Sequence, residues 1–167
     1  MQLCLVRHGI AAERDPRRWP DDRERPLTSE GIARMREAAR GLAEICSAGA
    51  ILSSPLVRAR QTAEILMEVF DVQDLHLSDA LASGDDVQLL ADVQAVGAVK
   101  VMAVGHEPHM SRTLSNLLTG DPGRISAVFK KGAAALVGFE GEPAAGEGYL
   151  EWLLQPAALR GLAPARR

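Results

Sequence analysis

Two short apolar runs, far apart in the chain, each end in a histidine beside a glycine. Leu3-Cys4-Leu5-Val6 leads into Arg7-His8-Gly9, and Val99 to Val104 leads into Gly105-His106-Glu107-Pro108-His109. Runs of this length without polar alternation suit strands buried on both faces, the pattern of a parallel sheet covered by helices. In such sheets the strand ends of one rim carry the ligand site. The pairing of the two histidines constrains the fold more than either motif does, since an Arg-His-Gly tripeptide on its own arises often by chance.

Between these runs the chain supplies the helices such a sheet requires. Residues 10–26 contain Pro16, Pro20 and Pro26 and little apolar periodicity, which describes a loop long enough to be functional. Arg14, Arg17, Arg18, Arg23 and Arg25 alternate there with Glu13, Asp15, Asp21, Asp22 and Glu24, the composition of a solvated, salt-bridged segment. Leu27-Thr28-Ser29-Glu30-Gly31 is a helix start with Thr28 or Ser29 as cap, and Ile32, Met35, Ala39, Leu42 and Cys46 follow as one apolar stripe. Ala50 to Ser53 is a second buried strand. The helix after it is expected to begin with Ser54 as cap and Pro55 in the first position, and to run to about Phe70.

Arg58 and Arg60 fall in the first turn of that helix, where the helix dipole disfavours cations. One of them therefore answers a charge outside the helix. A bound anion would do so, with helix amides and a guanidinium fork converging on the same oxygens; pairing with surface carboxylates is the alternative.

Further along, Val72 to Leu77 is a strand in which His76 has a surface or packing role. Ser83-Gly84-Asp85-Asp86 caps a helix whose stripe is Val87, Leu90, Val93 and Val96, ending at Gly97. Met110 to Leu118 is a helix. Ile125 to Phe129 and Ala133 to Phe139 are expected to pair as a hairpin at the sheet edge, Tyr149 to Leu154 to return as a last strand, and residues 164–167 to fray.

The length of 167 residues suits a single domain over 1–167, and 47% apolar with 25% charged residues is ordinary for a soluble globular protein. No apolar run is long enough for a membrane helix, and the first strand begins without a secretory leader, so a cytoplasmic location without membrane association is expected. The net charge of -3 argues against general nucleic-acid affinity. Only Cys4 and Cys46 are present, which suits buried apolar duty rather than a disulfide framework or zinc site. His106 and His109 do not have the spacing of an HExxH zinc helix, and Pro108 interrupts them, so no metal and no other cofactor is expected.

Taken together, Arg7-His8-Gly9, the segment Ser53-Ser54-Pro55-Leu56-Val57-Arg58-Ala59-Arg60-Gln61-Thr62-Ala63 and Val104-Gly105-His106-Glu107-Pro108 resemble the histidine phosphatase superfamily, with the SixA-type phosphohistidine phosphatases as the nearest likeness. Arg25-Pro26-Leu27-Thr28 followed by Gly31 resembles the way that group enters its first helix. The resemblance implies an α/β fold: a three-layer sandwich with a mostly parallel central sheet flanked by helices, compact and without a large cap insertion. It implies that His8 is the nucleophile, that Arg7 and Arg58 hold the phosphoryl oxygens and that His106 completes the pocket. Gly9 and Arg25 are secondary candidates for substrate contact, a structural salt bridge being the alternative for Arg25.

The implied activity is a metal-independent hydrolase that removes phosphate from phosphohistidine on a phosphotransfer or histidine-kinase protein. The site would accept phosphate or another oxyanion. Physical chemistry favours that donor. An alkoxide leaving group needs a positioned acid, which neither Asp85 nor Asp86 convincingly supplies, whereas an imidazole departs with less help. A small-molecule phosphomonoesterase and a noncatalytic phosphate-binding interaction module are the alternatives; the presence of both histidines weighs against the module.

Overall fold

The computed structural model describes residues 1–165; Arg166 and Arg167, the end of the segment expected to fray, lie outside the described residues. Six strands form one sheet: β1 (Gln2–Arg7), β2 (Ala50–Ser53), β3 (Leu75–Leu77), β4 (Lys100–Gly105), β5 (Ala134–Gly138) and β6 (Tyr149–Leu154). Their order across the sheet is β3-β2-β4-β1-β5-β6. The first four in this order are parallel, and β5 and β6 are antiparallel to their neighbours. The helices are α1 (Ser29–Ala43), α2 (Val57–Phe70), α3 (Ala80–Ser83), α4 (Asp86–Val96), α5 (His109–Thr119) and α6 (Pro156–Leu162).

The buried residues of β1 show how the layers arise. Successive side chains of a strand point to opposite faces. Cys4 and Val6 join one apolar cluster with Met35 and Leu42 of α1, Ala63 and Leu66 of α2 and Leu159 of α6. Leu3 and Leu5 join the other, with Leu81 of α3, Leu89 and Val93 of α4, and Met110, Leu114 and Leu117 of α5. A strand buried on both sides must be apolar at every position, which is why β1 and β4 carry continuous rather than alternating runs. Among the described residues no helix is long and apolar enough to cross a membrane.

The register sets the site. Val6 lies opposite Val104 and Arg7 opposite Gly105, so the chain leaves β1 and β4 at the same level of the same rim. The ladder continues one step further, with the His8 amide donating to the Gly105 carbonyl at 3.0 Å. Ser53 of β2 pairs with Val104 from the other side, which brings the start of α2 to the same rim.

Several local expectations are corrected. The helix after β2 begins at Val57 with Leu56 as its cap, not at Pro55 with Ser54. Ser54 is instead occupied: its hydroxyl accepts from the Leu56 amide and bonds the ring of His106. Residues 125–129 form no strand. Side chains take up part of their backbone, with Gln155 bonding the Val128 carbonyl and the Glu107 carboxylate accepting from the Phe129 amide, and the edge hairpin is formed by β5 and β6 instead.

Of the expected α4 stripe, Val93 is buried and Leu90 and Val96 pack at the core edge, but Val87 is 81% exposed and Leu89 takes the other buried position. Helix α6, too short to show a clear period, was not anticipated; it packs so closely on α1 that a side chain at Gly41 would meet the Leu159 carbonyl. Cys46 lies beyond the end of α1, half-buried, while Cys4 is buried; both are free thiols.

Candidate active site

Five of the six sequence-predicted residues, Arg7, His8, Arg25, Arg58 and His106, line one cleft of about 370 Å3. His8 follows β1, His106 follows β4, and Arg58 stands in the first turn of α2. The two imidazole rings lie with centroids 5.0 Å apart and planes tilted by 55°. His8, His106, Arg58 and Arg25 are each less than a tenth exposed, an unusual density of buried polar groups for an acidic chain. Gly9, the sixth candidate, sits behind the cleft, where its amide donates to the Thr62 hydroxyl at 3.1 Å.

Each side chain is held by a specific partner. The Nδ1 atom of His8 lies 2.7 Å from the Gly9 carbonyl. The carbonyl can only accept, so Nδ1 carries the proton and Nε2 is left with the lone pair. The Nε2 atom of His106 lies 2.8 Å from the Ser54 hydroxyl. Arg7 donates to the Phe129 carbonyl at 2.6 Å, which ties the β1 end to the irregular 125–133 segment. Glu107 braces that segment, accepting from the Phe129 amide and from the amide and hydroxyl of Ser111.

Of the two partners considered for a cation at this helix start, the structure shows a carboxylate beside Arg58. It donates to the Asp22 carbonyl at 2.8 Å and approaches the Asp22 carboxylate at 3.2 Å. Arg25 shares the same carboxylate at 2.9 Å and also donates to the Ala12 carbonyl, so the structural role of Arg25 is realised. Arg60 pairs loosely with Glu64 on the surface. Partial burial works to raise the Asp22 carboxyl, but the Arg25 hydrogen bond and the charges of Arg58, Arg25 and Arg14 outweigh it and hold the group below its ordinary range.

Both histidines are pushed towards neutrality. Burial is the main cause for His8, followed by the charge of His106 and opposed by the Gly9 hydrogen bond; Arg58 and Arg7 add to the lowering, and its pKa falls to about 3. Burial, then the charges of Arg58, His109 and Arg7, lower His106 to about 4. Three nitrogen atoms of this cluster, Arg7 Nε, Arg58 Nε and His106 Nδ1, are buried with no hydrogen-bond partner among the described residues. Buried donors without acceptors are costly, and a tetrahedral oxyanion brings acceptors in several directions. Among the described residues no group of three or more His, Cys, Asp or Glu side chains could hold a metal ion.

Sequence reasoning missed Asp22, Ser54 and Thr62 as site residues. Thr62 had a readable signal: four residues after Arg58 on one helix, its hydroxyl donates back to the Arg58 carbonyl at 2.8 Å. Asp22 had none, being one of five acidic residues in a charged loop. The carboxylates weighed as candidate acids, Asp85 and Asp86, lie elsewhere: Asp85 caps α4 and Asp86 accepts from Thr113.

The sequence pattern of the histidine phosphatase superfamily (branch 1) matches residues 3–84. An uncharacterised protein from Picosynechococcus is 33% identical over 141 residues, covering 81% of this chain and 84% of the relative. Among solved structures, the protein histidine phosphatase SixA complexed with tungstate superimposes with a TM-score of 0.81 at 28% identity, covering 95% of this chain and 99% of that one. A protein from Agrobacterium tumefaciens described as a SixA phosphohistidine phosphatase shares the fold, with a TM-score of 0.73 at 24% identity over 92% and 97% of the two chains. With the cleft built from the ends of β1 and β4 and the start of α2, these likenesses place the chain in the histidine phosphatase superfamily, in its compact SixA type.

Proposed function

We propose that this phosphatase removes phosphate from phosphohistidine on a protein partner, with His8 as the nucleophile. The observation that carries the reading is the state of His8: a neutral ring whose Nδ1 proton is held by the Gly9 carbonyl. An imidazole fixed in this tautomer presents the Nε2 lone pair at neutral pH without first losing a proton. That the similar SixA structure is complexed with tungstate supports an oxyanion such as phosphate as the occupant proposed for this cleft.

The cycle consists of two displacements. His8 Nε2 bonds to phosphorus as the phosphorus–nitrogen bond of the donor breaks, and the departing imidazole keeps the electron pair and takes a proton from solvent. Water then attacks the phosphorus carried by His8 and gives up a proton to solvent. The bond to Nε2 breaks, and inorganic phosphate leaves a neutral His8. Arg7, Arg58 and His106 hold the equatorial oxygens on which charge accumulates. If the Ser54 hydroxyl donates to His106 Nε2, the ring proton lies on Nδ1, the atom in need of an acceptor.

In this reading Gly9 and Arg25 shape the site through Thr62 and Asp22, and the side chains supply the positive field without a metal or cofactor. The carboxylates favour phosphohistidine over phosphate esters. Glu107 lines the cleft, but its oxygens are already taken up by Ser111 and Phe129, and Glu13, the other lining carboxylate, is exposed to solvent. Neither is placed as a held acid for an alkoxide. Comparing kcat/KM on a histidine phosphotransfer domain carrying phosphohistidine with that on p-nitrophenyl phosphate tests the assignment. Preference for the phosphoprotein is expected, and preference for the ester would overturn it.

A further inference from the structure

A second hollow, of about 230 Å3, adjoins the cleft between α1, α6 and the 130–132 turn. Its apolar lining comes from Ile10, Met35, Ala38 and Ala157, and Arg34, Lys130, Lys131 and Arg160 also line it. Lys131 lines both cavities, and Gly9, the residue after His8, forms part of this second wall.

Three properties define what would fit. The volume lies below the roughly 300–1,000 Å3 usual for small-molecule sites, so it suits one side chain of a macromolecule better than a free metabolite. The charge is opposite to that of the chain as a whole, which is -3. Arg34 pairs with Glu30, but Lys130, Lys131 and Arg160 are in no ion pair among the described residues, so the rim favours carboxylates. The hollow is also preformed. Gln155 bonds the Val128 carbonyl and the Lys130 amide, and the Gly132 amide donates to the carbonyls of Arg7 and His8. A site fixed before binding loses little conformational freedom on docking.

We propose that this hollow is a docking subsite for the phosphorylated partner, receiving one apolar side chain from a segment whose adjacent residues are acidic. The inference rests on the phosphohistidine-protein reading above. Lys131, common to both cavities, and Gly9, the residue directly after His8, place the docked side chain within a few residues of the phosphorylated histidine, so the subsite selects among protein substrates while the chemistry stays at His8.

Two phosphohistidine peptides of equal length test this, one with leucine flanked by glutamates near the phosphorylated residue and one with alanine flanked by lysines, alongside phosphoimidazole. The native protein is expected to favour the acidic peptide by about tenfold in kcat/KM, mainly through KM. Ala157→Trp, which fills the mouth from an exposed helix position, and the double change Arg34→Glu with Arg160→Glu should each reduce that preference to about twofold or less while leaving phosphoimidazole turnover unchanged. Equal cleavage of both peptides by the native protein, or a preference that survives both variants, would overturn the subsite alone. Turnover of p-nitrophenyl phosphate with neither peptide cleaved would overturn the underlying reading and the subsite with it.

Discussion

His8 and His106 stand ring to ring at 5.0 Å because Arg7 and Gly105 are paired across two parallel strands. Parallel register carries both chains to the rim at one level, so residues nearly a hundred positions apart in sequence become neighbours. Their closeness also shapes their chemistry: two imidazoles in a buried cleft beside Arg7 and Arg58 stay neutral, the state a nucleophile needs.

That neutrality is visible in stability. A histidine whose folded pKa lies below its unfolded value of about 6.5 binds fewer protons in the folded state over that interval, so folding stability falls as pH drops from about 6.5 towards the folded values of about 3 and 4. Urea unfolding from pH 7 to pH 4 should show this decline, and His8→Gln should make it shallower. An identical slope in the variant would show that His8 does not contribute.

Arg58→Lys should lower kcat/KM by about 100-fold with the fold retained, since an ammonium cannot reproduce the planar fork that spans the Asp22 carbonyl and carboxylate and, in the proposed cycle, the phosphoryl oxygens. Steady-state kinetics with circular dichroism checks this. Turnover equal to the native protein would reduce Arg58 to a salt bridge.

Thr62→Val removes a hydroxyl that both accepts from the Gly9 amide and donates to the Arg58 carbonyl, at nearly constant volume. The Gly9 amide would be left buried and unpaired, at a cost of about 1–3 kcal/mol in unfolding free energy. Because Gly9 positions the His8 ring through its carbonyl, kcat should fall as well, while a purely structural role would leave kcat unchanged.

The residues that proved legible were those whose signal is local or periodic. Continuous apolar runs marked β1, β2 and β4, the Thr28 cap marked α1 by accepting from the Gly31 amide at 2.9 Å, and histidines at strand ends marked the rim. What escaped depends on contacts between distant segments. The apolar residues of 125–129 resemble a strand, but Phe129 is fixed by Arg7 and Glu107 from two other elements. Asp22 is indistinguishable from its acidic neighbours until the fold sets it beside Arg58. Gly31 has its own non-local reason, since any side chain there would collide with the Ile10 carbonyl.

The covalent step can be observed directly. Brief exposure to phosphohistidine protein carrying labelled phosphate, followed by denaturation, should leave label on the chain in an acid-labile, base-stable form. Peptide mapping should locate that label at His8, and His8→Ala should carry none. Label retained by His8→Ala, or mapped to His106, would contradict the assignment of His8 as the phosphoryl acceptor.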